Sequence, residues 1–181
     1  MNAIMISTAR TDLTLIRESD CAQIHELLII PEVDKYNTLG IPKSVAETTA
    51  IMKPSISANE NGGAYTFGVR IKGDDAFNGL VGIVPGKTKY QSAEVYFKYF
   101  PAFWGKGYAT EVLNGLIDFC FDDLNLRRVE AGCAVDNIAS YKVMEKVGMI
   151  REGRKRLTLP LSTGWSDNFE YAILKNDKRH K

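Results

Sequence analysis

The sequence has few of the residues that bind metal ions or form covalent intermediates. It contains two histidines and three cysteines in 181 residues. Cys21, Cys120 and Cys133 lie far apart, form no C-x-x-C pair and are odd in number, which indicates buried free thiols in a reducing compartment. His25 falls in a predicted helix and His180 in a charged tail, so we expect no metal site.

Charge of one sign and long apolar runs are also lacking. The net charge of +1 gives no general attraction to nucleic acid or to an anionic membrane. No apolar run approaches the roughly 20 residues of a membrane span, and the N-terminus does not read as a signal peptide. The sequence therefore predicts a cytoplasmic protein without a nucleic-acid or membrane partner. With 45% hydrophobic residues, we expect residues 1–181 to form one domain with a full core.

The periodicity of apolar residues predicts a mixed central sheet with helices on its faces, an α/β (α+β) architecture. The seven predicted strands lie near Leu13–Arg17, Tyr65–Lys72, Gly79–Val84, Ala93–Tyr99, Arg128–Val135, Met149–Leu159 and Asn168–Leu174. The four predicted helices cover about Asp20–Leu28, Ser44–Lys53, the apolar stripe from Ala109 to Leu124, and Ile138–Val147. The polar stretch at 57–63 is predicted to be flexible.

A glycine turn between a predicted strand and the longest predicted helix indicates an anion site. Gly105 and Gly107 lack a Cβ, so the backbone can turn tightly and let a ligand reach its N–H groups. At the start of a helix these groups have no internal partners and lie at the positive end of the helix dipole. A phosphate or pyrophosphate fits there.

Two other nucleotide motifs do not fit this chain. The dinucleotide fingerprint G-x-G-x-x-G would need a glycine where Thr110 stands. The phosphate loop G-x-x-x-x-G-K-[ST] would place its first glycine at Val81, and no helical period follows Thr88.

A second strand-to-helix junction has the same layout. The helix predicted at Ile138–Val147 follows a strand that ends at Val135, and Asp136 or Asn137 is its expected cap. If this strand lies beside the one that ends near Tyr99, both helix starts face one crevice.

Together the two junctions resemble the GNAT superfamily of acyl-CoA N-acyltransferases, in the branch of the ribosomal-protein-alanine N-acetyltransferases. The stretch from Trp104 to Glu111, W-G-K-G-Y-A-T-E, is typical of that branch, with Trp104 in place of the Gln or Arg that begins the family's phosphate loop. The later segment is similar to the branch pattern N-x-x-S-x-x-(V/L)-x-E-K-x-G-F, with Met149 replacing Phe. Its matching residues are Asn137, Ser140, Val143, Glu145, Lys146 and Gly148. The resemblance runs from about Leu13 to Leu174 and implies the GNAT fold, in which strands 4 and 5 of about seven splay apart.

The resemblance also implies acetyl-CoA as the cofactor, without a metal. Its pyrophosphate is expected on the backbone amides from Gly105 to Thr110, and its pantetheine arm between Phe97–Tyr99 and Gly132–Val135. A backbone N–H near Phe97 or Lys98 is expected to stabilise the oxyanion. The expected cofactor-binding residues are Phe97, Lys98, Trp104, Gly105, Lys106, Gly107, Tyr108, Ala109, Thr110, Asn137 and Ser140.

The catalytic residues are less strongly indicated. Many GNAT enzymes carry, where Met144 stands here, a Tyr that protonates the leaving thiolate. Ser140 is therefore the first candidate for this general acid, and Tyr141 is the second. A purely cofactor-binding or helix-capping Ser140 is the alternative. Glu94 is the first candidate for the general base, and Glu170 is a further candidate.

The resemblance implies direct attack of a primary amine on acetyl-CoA in a ternary complex. A protein N-terminal α-amine is the first choice of acceptor, because its pKa of about 8 asks less of a base than that of a lysine, about 10.4. A polyamine, amino acid or aminoglycoside acceptor and a non-catalytic acyl-CoA sensor are the alternatives. The acceptor groove is expected between Tyr36–Pro42 and Leu159–Asn168 of a monomer or homodimer.

Overall fold

The framework of the protein is one mixed sheet of eight strands, in the order β1-β2-β3-β4-β5-β6-β8-β7. The computed structural model describes residues 4–73 and 75–179. The strands are β1 (Met5–Ser7), β2 (Thr11–Leu15), β3 (Tyr65–Ile71), β4 (Phe77–Pro85), β5 (Ser92–Tyr99), β6 (Arg128–Ala134), β7 (Ile150–Leu161) and β8 (Gly164–Leu174). The helices are α1 (Cys21–Leu28), α2 (Pro31–Asp34), α3 (Val45–Asn61), α4 (Tyr108–Asp122) and α5 (Ile138–Lys146).

The predicted α/β architecture is confirmed, with one strand more than expected. That strand, β1, has only three residues and pairs antiparallel with β2, so its own sequence carries too little periodicity to predict it. The prediction of flexibility at 57–63 was wrong for most of that stretch, since α3 runs to Asn61. Buried Asn59 accounts for the longer helix, because its side chain accepts from the Thr66 N–H and donates to the Ile16 carbonyl.

The helices cover the two faces of the sheet and divide the core. Helices α4 and α5 pack on one face, where Leu116 and Met144 join Val95 of β5 in the larger apolar cluster. Helices α1 and α3 pack on the other face, where Leu27 and Met52 join Leu80 of β4. Each face of the sheet buries apolar side chains, which is why central strand β4 is apolar at nearly every position. All three cysteines are buried free thiols, as predicted.

The sheet opens between β5 and β6, its one pair of parallel neighbours. Their registered pairing covers Ser92–Glu94 of β5 and Arg128–Glu130 of β6. Beyond Glu94, β5 stays paired with β4 and β6 stays paired with β8. The second halves of β5 and β6 therefore diverge, and the predicted splay is confirmed. Among the described helices, none is long and apolar enough to cross a membrane.

Candidate active site

The glycine turn before α4 has the conformation that its sequence predicts. Gly105 and Gly107 have φ angles of +72° and +81°, in the left-handed region that favours glycine. Gly107 is the N-cap of α4 and has no side chain to accept from the first amides of the helix. Its carbonyl accepts from the Glu111 N–H at 3.1 Å, so the regular helix begins directly after it. The amides before Glu111 are left for an external acceptor.

A cavity of ≈ 590 Å³ lies where this turn meets the splay, and we call it the crevice cavity. It is bounded by the end of β5, the glycine turn and the starts of α4 and α5. Ten of the eleven residues expected to bind the cofactor line it. The exception is Lys106, whose carbonyl accepts from Arg10 Nη1 at 3.0 Å. Two sequence segments that are 30 residues apart are thus brought to one place.

Trp104 connects the glycine turn to β5. Its indole Nε1 donates to the Tyr99 carbonyl at 2.8 Å, while 48% of the residue stays exposed. The replacement of the family's usual Gln or Arg therefore fastens the loop to the strand end. The Tyr99 side chain is buried below, and its hydroxyl has no hydrogen-bond partner among the described residues. Burial raises the pKa of Tyr99, so this hydroxyl stays protonated.

The start of α5 places side chains at the crevice. Asn137 is the N-cap, and its Oδ1 accepts from the Ser140 N–H at 3.2 Å. The Nδ2 group of Asn137 is left as its donor. Burial raises the pKa of the Cys133 thiol on β6 to about 11, although the neighbouring Ser140 hydroxyl acts to lower it, so the thiol is neutral at physiological pH.

Tyr141 and Glu94 are not brought to the crevice cavity. Tyr141 packs edge-on against Phe169 of β8, with ring centroids 6.0 Å apart. Consecutive residues of a helix point about 100° apart, which is why Ser140 faces the crevice and Tyr141 does not. Glu94 is exposed, and it is the last residue of β5 that pairs with β6. At 3.3 Å per residue, it lies about 13 Å along the strand from Lys98. Glu170 is ion-paired with Lys155.

Lys98 contributes a side chain that the sequence interpretation had not used. It lines the crevice cavity from the α1 side of the sheet, because its cross-strand partner is Leu80 of the α1–α3 cluster. Burial lowers the pKa of Lys98, and buried Asp34 at the end of α2 opposes that shift. The lysine therefore gives up a proton more easily than an exposed lysine does.

A second cavity of ≈ 600 Å³, the hairpin cavity, lies beside the first. Lys35 and Tyr36 line both cavities, so the two are adjacent. The far wall is the β7–β8 hairpin, where Trp165 is 65% exposed. Tyr36 and this hairpin belong to the two segments expected to flank the acceptor.

Asp167 organises the hairpin. Its carboxylate accepts from the Leu157 N–H at 2.8 Å and from Arg154 Nε at 2.6 Å. These bonds, the backbone one first, hold the pKa of Asp167 below its usual value. In the basic run of β7, Arg154 and Lys155 are paired within the hairpin and Arg151 lies over the Phe169 ring. These three basic side chains are therefore engaged within the hairpin itself.

No group of three or more His, Cys, Asp or Glu side chains within residues 4–73 and 75–179 is arranged to hold a metal ion. His25 is engaged elsewhere, since its Nδ1 lies 2.8 Å from the Thr48 hydroxyl. His180 lies outside the described residues.

Comparisons with known proteins agree with this geometry. Residues 10–150 match the family model "Acetyltransferase (GNAT) domain". The chain is 32% identical to the uncharacterized N-acetyltransferase YnaD of Bacillus subtilis over 168 residues, 90% of this chain and 94% of YnaD. Its fold is similar to ribosomal-protein-S5-alanine acetyltransferase from Vibrio fischeri, with TM-score 0.82 and 20% identity over 96% of this chain and 98% of that one. It is also similar to spermidine N-acetyltransferase from Vibrio cholerae in complex with CoA and spermine, with TM-score 0.81 and 22% identity over 91% and 95% of the two chains.

Proposed function

This chain belongs to the GNAT family of N-acetyltransferases, and we propose that it moves the acetyl group of acetyl-CoA to a protein N-terminal α-amine. One observation carries the proposal. The uncapped start of α4 and the splay of β5 from β6 open into a single cavity, and a second cavity under the β7–β8 hairpin lies next to it and shares Lys35 and Tyr36 with it. A cofactor and an extended acceptor can therefore meet at the end of β5.

In this proposal the pyrophosphate of acetyl-CoA binds the amides from Gly105 to Thr110. Several converging N–H donors at the positive end of a helix suit a dianionic group. The pantetheine arm lies along the edge of β5 that faces the splay. Asn137 Nδ2, on the opposite side of the crevice, donates to an amide of that arm.

The alternation of the β4–β5 ladder selects the oxyanion donor. The Phe100 N–H donates to the Asn78 carbonyl of β4, so the backbone groups of Lys98 also face β4 and those of Phe97 and Tyr99 face the splay. The Trp104 bond to the Tyr99 carbonyl fits this alternation. We therefore assign oxyanion stabilisation to the Phe97 N–H.

Ser140 is the proposed acid for the departing CoA thiolate. Ser140 lines the crevice cavity, and the Cys133 thiol beside it is neutral. A free thiol has a pKa of about 8.5, so the leaving group needs only partial protonation in the transition state. Tyr141 is not part of the proposal, because its ring packs against Phe169.

We assign the base to Lys98 rather than to Glu94. Lys98 lines the crevice cavity and Glu94 lies at the paired end of β5. A lysine whose pKa is lowered by burial is a recognised form of general base. An α-amine of pKa about 8 passes its proton to such a group more readily than a side-chain amine of pKa about 10.4.

The charges of the crevice support a peptide terminus over a polyamine. Lys35, Lys142 and Lys146 line the crevice cavity beside a single exposed acidic residue, Glu32. In the hairpin cavity, Lys35 and Arg154 balance Asp136 and Asp167. Neither lining has the acidic excess that would attract a substrate with several positive charges. The hairpin cavity offers the exposed indole of Trp165 to the residues behind a peptide's first amine.

The experiment is an acceptor competition that follows free CoA release. Peptides with free N-termini compete with N-blocked, lysine-containing counterparts and with spermidine. The proposal predicts acetylation of the free α-amines first. Acetylation of spermidine or blocked peptides with free α-amines untouched would contradict the acceptor assignment, and acetyl-CoA binding without any thiol release would identify a sensor.

A further inference from the structure

The turn between β1 and β2 reaches the glycine turn from outside the crevice. Arg10 in this turn lies against residues 106–111, about 100 positions later in the chain. Its guanidinium carbon is 4.3 Å from the centroid of the Tyr108 ring. A Cβ built on Gly107 would lie 3.4 Å from Arg10 Nη2, so the guanidinium lies close beside the Gly107 backbone. In the described residues, Arg10 does not line either cavity.

The turn is anchored to α4 through Glu111. The Glu111 carboxylate accepts from the Thr8 hydroxyl at 2.6 Å, from the Arg10 N–H at 2.7 Å and from Arg10 Nε at 2.6 Å. Burial acts to raise the pKa of Glu111, but these bonds overcome it and hold the pKa below its ordinary value. The carboxylate is therefore ionised and fixes the orientation of the guanidinium.

The oriented guanidinium then holds one peptide group of the glycine turn. Arg10 Nη1 donates to the Lys106 carbonyl at 3.0 Å. That carbonyl and the Gly107 N–H belong to one planar trans peptide, so they point in opposite directions. Fixing the carbonyl toward Arg10 directs the Gly107 N–H away from Arg10, and Gly107 itself lines the crevice cavity.

We propose that Arg10, oriented by Glu111, is a positioning residue that sets the Lys106–Gly107 peptide in the orientation that binds the CoA pyrophosphate. The inference rests on the proposed cofactor site. A glycine can rotate through many backbone conformations, so a loop with Gly105 and Gly107 needs such a restraint to present its amides without an entropic penalty. Arginine suits the task because its planar fork donates to the carboxylate through Nε and to the carbonyl through Nη1, whereas the donors of a lysine all lie on one nitrogen.

The test measures acetyl-CoA binding calorimetrically for Arg10→Gln, Arg10→Lys and Glu111→Gln. Arg128→Gln is the matched control, since Arg128 bonds the carboxylates of Glu130 and Glu152 at the paired end of β6, away from the crevice. We expect the dissociation constant to rise about tenfold in Arg10→Gln, as for the loss of one charge-assisted contact, and to stay within about twofold in the control. Arg10→Lys should recover little of the loss.

A second readout separates positioning from general destabilisation. The kcat at saturating acetyl-CoA and the rate with S-acetyl-pantetheine, which lacks the pyrophosphate, should change less than about twofold in Arg10→Gln. Unchanged acetyl-CoA affinity in folded Arg10→Gln, or equal losses with both donors, would overturn the inference and leave the proposed function standing. A wild-type protein that binds no acetyl-CoA would overturn both.

Discussion

The two strand-to-helix junctions of the crevice differ in how they treat their first amides. Before α4 the N-cap is Gly107, which offers no side chain and leaves the amides open. Before α5 the N-cap is Asn137, whose Oδ1 accepts from the Ser140 N–H. In the proposed function, the first junction therefore binds the cofactor through backbone amides, and the second binds it through side chains. The sensitivity of each junction to substitution should follow that difference.

The largest effect is expected at the backbone junction. Gly107→Val places a β-branched residue at a φ of +81°, which it adopts only with strain, so the amides should no longer converge. We expect acetyl-CoA affinity to fall by about 100-fold, measured by calorimetry. Gly62→Val is the control, because Gly62 also has a positive φ of +67° but caps α3 away from the crevice. Equal affinity in the two variants would place the phosphate site elsewhere.

The second effect concerns a side chain of the other junction. Ser140→Ala removes the proposed acid, and kcat should fall about 100-fold with little change in acetyl-CoA affinity. Steady-state kinetics with saturating acceptor would measure it. A rise in the cofactor constant with unchanged kcat would assign Ser140 to binding.

Substitutions of Lys98 test whether its amine acts as the general base. In the native enzyme the rate should climb from about pH 6 to about pH 8, because an α-amine of pKa about 8 must lose its proton before it attacks. Lys98→Met should lower the rate about tenfold at neutral pH, because no base then takes that proton. Lys98→Arg is the control, since arginine keeps the charge but cannot deprotonate. Full activity in Lys98→Arg would contradict the base assignment.

The smallest effect should come from Asn137, where capping and binding can be separated. Asn137→Ser keeps a capping oxygen and loses the amide donor, so stability should hold while KM for acetyl-CoA rises about fivefold. Asn137→Ala should lose about 1 kcal/mol of unfolding free energy in addition, measured by urea denaturation. An unchanged KM in Asn137→Ser would remove Asn137 Nδ2 from the cofactor site.

The local features of the crevice were predictable from sequence, and the side-chain directions were not. Gly105 and Gly107 have positive φ angles, which glycine adopts more easily than other residues, so two glycines between a strand and a helix predict this turn. The direction of Tyr141 depends on which face of α5 meets β8, and that is decided by tertiary packing. The position of Glu94 was also not predictable. The alternation of side chains along a strand tells which face of the sheet Glu94 lies on, but not where β5 stops pairing with β6.

The sequence also did not predict which distant segments contribute to the candidate site. Nothing near Arg10 in the chain indicates that its partner is Glu111, because that contact exists only after β1 pairs beside β2 and packs on α4. Likewise α2 has only four residues, too few for a periodic signal, yet its residues Glu32 and Val33 line the crevice cavity.

Amide hydrogen exchange tests the contrast between the two junctions most directly. Acetyl-CoA should slow exchange at residues 107–110, whose amides gain an acceptor, and should change exchange little at Ser140, whose amide already donates to Asn137. Strong protection at 107–110 with little at Ser140 is the predicted result. No protection at 107–110 under saturating acetyl-CoA would contradict the account.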